Sequence, residues 1–142
     1  MDREEIRKKR DEKWIEAWFM IEVMAVDETV AKEALESHVK KLENETPVFE
    51  TTYQDIVRVE NPTPKLKEAY SKICEVKLFA RDVMSLLRLV LMYGPAAIEI
   101  MGPKSKDVSM EELQNISNSV AGLMHQFASA GIGGVVISPA KK

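Results

Sequence analysis

The chain runs twice through one pattern: a stretch of alternating polarity, an amphipathic helical stretch and a further extended stretch. The first copy covers residues 14–59 and the second residues 70–101. Two such units joined by a proline-rich bend predict a four-stranded antiparallel sheet with both helices on one face. Each crossover helix must lie on the side to which the apolar parity of the strands points.

The parity is clearest at residues 14–26. Ile15, Ala17, Phe19, Ile21, Val23 and Ala25 are wholly apolar, whereas Trp14, Glu16, Trp18, Met20, Glu22 and Met24 are mixed. Period-two alternation marks a strand with one dry side. A helical reading of residues 13–20 competes with it, because they are acceptable helix formers. Asp27 is placed to cap a helix whose stripe of Ala31, Leu35, His38 and Leu42, flanked by Ala34 and Val39, runs to Asn44. Pro47 bars its continuation. Residues 49–59 read as a second strand, polar enough for a sheet edge. Asn61-Pro62-Thr63-Pro64 reads as a stiff turn, followed by a short helical turn over residues 65–69.

In the second copy, Cys74, Val76 and Leu78 alternate with Ile73, Glu75, Lys77 and Phe79. Asp82 caps and Gly94 stops a helix in which only Ser85 and Arg88 are polar before Tyr93. A helix apolar nearly all round predicts burial on more than one side. Gly94-Pro95 and Gly102-Pro103 bracket a fourth strand, residues 96–101, interrupted by Glu99. Ser109 and Glu112 have the spacing of a capping box for a third helix, from Met110 to about Ala130, striped by Leu113, Ile116, Val120, Leu123, Met124 and Phe127. Residues 132–138 offer an extra edge strand. The expected organisation is a charged segment at 1–13, a single α+β domain at 14–138 and a frayed tail at 139–142.

Composition narrows the function classes. The 20 basic and 23 acidic residues give a net charge of -3, without the basic excess that phosphate-backbone binding favours, so nucleic acid is disfavoured. The tetrad Arg7, Lys8, Lys9 and Arg10 reads as a solvated N-terminal turn; its alternative is a phosphate contact shared with the Lys104 loop. Cys74 is the single cysteine, which excludes an intrachain disulfide and fits a reducing cytoplasm. The first residues lack a secretory h-region, and no apolar run approaches the roughly 20 residues that span a bilayer, so neither export nor a membrane is expected.

If the four strands are ordered 4-1-3-2, their mixed faces come together. Glu16, Glu22, Glu75, Lys77 and Glu99 then stand near Trp18, Met20, Met24, Phe79 and Met101, the best candidate for a site. Clustered carboxylates beside apolar surface suit acid/base work or a hard cation, which makes Glu22, Glu75 and Glu99 the catalytic candidates. The structural reading is a half-exposed face whose glutamates pair with Lys77 and Arg58 across strands. Trp18, Met20, Met24, Lys77, Phe79 and Met101 form the ligand or interface candidate, since Trp and Met are enriched at interfaces. Lys104, Lys106 and Ser109 offer an anion site before the third helix. His38 and His125 have no partner at ligand spacing, so no metal and no cofactor is expected. Cys74 lacks the basic setting of a reactive thiolate. Gly131-Ile132-Gly133-Gly134 resembles a phosphate loop in composition alone, because a helix precedes it and a strand-like segment follows.

The order strand, helix, strand, strand, helix, strand over residues 14–101 resembles the ferredoxin-like superfold, whose members include small regulatory ligand-binding domains, and is similar in flavour to small archaeal α+β proteins. The turn Asp27-Glu28-Thr29-Val30 lacks the glycine usual in ACT-type amino-acid sensors, so no functional residue is carried over. The expectation is a non-catalytic, self-associating domain, a homodimer first, that binds a small ligand or a protein partner through its sheet face or a subunit groove. The alternative is an enzyme built on the carboxylate cluster.

Overall fold

The chain forms two compact units, Met1–Lys106 and Asp107–Lys142, and the computed structural model describes residues 1–130. The extra strand expected at 132–138, the glycine-rich run and the tail lie outside the described residues. The first unit runs α1 (Arg3–Asp11), β1 (Ile15–Ala25), α2 (Glu28–Glu45), β2 (Val48–Tyr53), β3 (Val57–Thr63), β4 (Leu66–Ala80), α3 (Val83–Tyr93) and β5 (Ala97–Gly102). The second contains α4 (Met110–Ser129).

The antiparallel sheet is ordered β2-β4-β1-β5, with β3 also paired to β4. With β2 and β3 taken as two pieces of one edge, this is the ferredoxin-like α+β order. The competing helical reading of residues 13–20 is overturned: Lys13, at φ 62°, turns the chain out of α1, and β1 pairs with β4 from Ile15↔Ala80 to Ala25↔Tyr70. Pairing of that length outweighs the modest helix propensity of the same residues.

The edge differs from expectation in two ways. The expected second strand is broken, because the chain leaves the ladder after Tyr53 and rejoins it at Val57. Of the expected turn at 61–64, residues 61–63 are instead the end of β3, and the chain turns at Pro64 and Lys65. A bulge between Glu60 and Thr63 absorbs Asn61, at φ 50°, and Pro62, which has no N–H to give a ladder. Residues 66–69 are therefore strand, not helix: Val59↔Ala69 and Glu60↔Glu68 pair across the hairpin. The like charges of that second pair share Arg58, which lies 3.4 Å from Glu60 and whose Nε donates to Glu68 at 2.7 Å.

Side-chain parity puts the core on one side. Ala17, Phe19 and Ile21 of β1 and Cys74, Val76 and Leu78 of β4 are buried under Leu35, Val39 and Leu42 of α2 and Leu89 and Tyr93 of α3. The predicted caps form: Asp27 Oδ1 accepts from Thr29 N–H at 2.8 Å, and Asp82 Oδ1 accepts from Ser85 N–H at 2.8 Å. Gly94 closes α3 at φ 52°, a left-handed conformation that glycine adopts freely. His38 ties the two helices, with Nε2 2.9 Å from the Tyr93 carbonyl and its ring edge-on to the Tyr93 ring at 5.1 Å.

α3 corrects a further expectation. Only Leu89 and Tyr93 are buried, while Leu91 and Met92 are 45% and 54% exposed. An apolar composition does not guarantee cover when the sheet offers one side. Because Leu78 is fully buried near the C-terminal end of β4, Leu78→Ala should cost about 2–5 kcal/mol. Urea denaturation checks this, with an unchanged m-value expected.

Candidate functional site

The face of the sheet turned away from the helices carries the residues singled out from the sequence. Register places Glu99 opposite Trp18, Trp18 opposite Lys77, Met20 opposite Glu75 and Glu22 opposite Ile73. Trp18, Met20, Glu75 and Lys77 are half-buried, and Glu22, Met24, Glu99 and Met101 are exposed. Phe79 is fully buried because Phe49, delivered by the bulge at the start of β2, lies on it at 4.9 Å between ring centres. It gives a ligand no accessible surface.

Most carboxylates on this face already have donors. The Trp18 indole N–H donates to Glu75 Oε1 at 3.2 Å, and the Gln54 amide donates to Glu75 Oε2 at 3.1 Å. Lys77 Nζ lies 2.8 Å from Glu50, which holds the ammonium above its ordinary pKa. The Ser71 hydroxyl donates to Glu22. Glu99 has no ion-pair partner among the described residues. Glu22, Glu75 and Glu99 share one face but not one point, since Glu22 stands four residues along β1 from the partner of Glu99. Among the described residues no group of three His, Cys, Asp or Glu side chains is placed to hold a metal ion.

The most deeply set carboxylate is that of Glu16, 8% exposed. Arg10 Nε and Nη2 reach its two oxygens at 2.8 and 3.1 Å, a bidentate pair. Lys9 Nζ stands 3.9 Å from the centre of the Trp14 ring, a cation–π contact, and Arg7 lies 3.9 Å from Glu4. Much of the basic tetrad therefore serves to fasten and balance α1. The alternation of sign in residues 2–13 hides this, because a charge run gives no signal of a long-range partner; Arg10, Gln54 and Ser71 are the functional neighbours that sequence reasoning missed.

In the anion candidate, Lys104 is exposed and Lys106 Nζ donates to the Lys13 carbonyl. Ser109 belongs to the second unit, where its hydroxyl accepts from Glu112 N–H at 3.0 Å as the α4 cap. Cys74 is buried, and desolvation pushes its thiol up to about 11.

A second surface stands out by exposure. Ile98 and Ile100 of β5 lie opposite Phe19 and Ala17, on the helix side of the sheet, yet remain 41% and 51% exposed. Met101 is 44% exposed. β5 pairs only with β1 among the described strands, so its outer N–H and C=O groups form an open edge.

These features define an antiparallel α+β sandwich of ferredoxin-like order with a polar, internally bonded open face and an apolar edge. The chain belongs to the MJ0538 family, whose model matches residues 16–141. No curated protein and no solved structure matches it significantly. Among the described residues no helix is long and apolar enough to cross a membrane.

Three measurements follow from the geometry. Arg10→Ala strands the Glu16 carboxylate and should cost about 1–3 kcal/mol in urea denaturation; adding Glu16→Gln should return much of the loss. Cys74 should resist alkylation at pH 8 until the chain unfolds. Above its ordinary pKa of about 9 the unfolded chain releases the thiol proton while the folded chain keeps it to about 11. Stability is therefore lost as pH rises across that window, and Cys74→Ala should flatten the slope.

Proposed function

We propose that the chain is a non-catalytic, self-associating domain whose homodimer forms along β5. The observation that carries this reading is an edge strand with no second partner among the described strands, on which Ile98, Ile100 and Met101 are between 41% and 51% exposed. An edge strand left open with large apolar side chains invites pairing with another chain. A second copy supplies the matching element, because an isologous contact presents the same strand from both sides. β5 is bracketed by prolines at 95 and 103, which limits the pairing to a short segment and opposes growth beyond it.

The open face supports a binding role more than a catalytic one. Glu75 is tied to Trp18 and Gln54, and Glu22 to Ser71, so two of the three candidate carboxylates are engaged in holding the sheet. Trp18 and Met20 leave a half-buried apolar strip between them, suited to a partner or small ligand. The alternative, an enzyme with Glu99 as acid or base, requires two further groups to converge on an exposed and isolated carboxylate.

Sedimentation at micromolar concentration tests the reading. The parent chain should run at twice its 16.1 kDa mass. The double variant Ile98→Lys, Ile100→Lys should run as a folded monomer. A monomeric parent, or a dimer indifferent to both changes, would remove the proposal.

A further inference from the structure

A cleft of about 340 Å3 opens beside the first turns of α3, built from three separate parts of the chain. Trp14 comes from the lead-in to β1, Glu45 and Thr46 from the end of α2, and Arg81, Ser85 and Arg88 from α3 and the residue before its cap. The Arg81 guanidinium centre stands 5.5 Å from the Trp14 ring centre, and that ring also carries Lys9. Ser85 and Arg88 are three residues apart, so they share one side of the helix.

Two features give the cleft a chemical preference. Glu45 is the only acid in its lining, against two guanidinium groups, which leaves a surplus of positive charge on a concave surface where the field is focused. In addition, neither Arg81 nor Arg88 has a carboxylate within 4 Å among the described residues, whereas Arg7, Arg10 and Arg58 each do. Arg81 has the Asp82 carboxylate as an electrostatic neighbour, and the N–H donors that both guanidiniums keep in the cleft suit a shared anion. The planar fork of arginine matches a phosphate through paired N–H donors.

We infer that this cleft holds the phosphate of a small phosphorylated molecule between Arg81 and Arg88, with the rest of the ligand against Trp14. A small molecule suits a half-open cleft of this volume with a single opposing acid. A nucleic-acid strand needs a continuous basic track, and the chain as a whole is acidic, at -3. The inference stands apart from self-association, since no residue of the lining lies in β5.

Inorganic pyrophosphate is the probe. It should raise the melting temperature saturably, and calorimetry should give one site per chain. Arg81→Gln and Arg88→Gln should each raise the half-saturating concentration at least about tenfold. Both side chains are exposed, so far-UV circular dichroism should match the parent. Lys32→Gln, on an exposed position of α2 outside the lining, should leave binding unchanged. The inference is overturned by no saturable shift at millimolar pyrophosphate, by both arginine variants responding as the parent does, or by a single-stranded oligonucleotide displacing pyrophosphate with steep salt dependence.

Discussion

The unbroken pairing of β1 with β4, from Ile15↔Ala80 to Ala25↔Tyr70, is the constraint on which the rest of the molecule depends. Because side chains alternate, that register sends Phe19, Ile21, Val76 and Leu78 to one side, with Cys74 beside them. The same register forces Trp18, Met20, Glu75 and Lys77 to the other. A slip by one residue would bring charge beneath α2 and expose the core. Every later feature, from the seat of the helices to the ion pairs of the open face, inherits this choice.

The open face shows how, within the first unit, a strand with mixed parity is stabilised by local pairs. Its charges are matched locally: Glu50 with Lys77, Glu75 with Trp18 and Gln54, Glu22 with Ser71. Individually such exposed pairs contribute little. The Arg10–Glu16 pair differs, since its carboxylate is nearly buried and both oxygens are held. It turns α1, which buries no residue of its own, into a clasp on the start of β1. Glu99 stands without an ion-pair partner on that face among the described residues, while the two proposals rest elsewhere, on the apolar edge of β5 and the arginine-lined cleft.

How much of this was legible in the sequence follows from the range of each interaction. The parity of β1 and β4, the caps at Asp27, Asp82 and Ser109, and the stop at Gly94 are local signals, and the structure reproduces them. The resulting order of strands brings Trp18, Glu75, Lys77 and Glu99 to one face as anticipated. Residues 65–69 were misread because helix propensity is local, whereas their pairing with β3 depends on a bulge at Asn61 and Pro62. Phe79 shares the parity of an exposed residue, and Phe49, arriving from another strand, lies on it. The exposure of Ile98 and Ile100 on the helix side of an edge strand is a property of the folded chain that hydrophobic periodicity does not encode. Arg81 and Arg88 carry no shared signal in the sequence, since their placement with Trp14 along one cleft is a property of the folded chain.

Cross-strand proton–proton contacts measured by NMR test the central register most directly. The structure requires Phe19 to face Val76 and Ile98, and Met20 to face Glu75 and Ala97. Contacts displaced by one residue along β1, bringing Phe19 opposite Glu75, would contradict the arrangement of both faces.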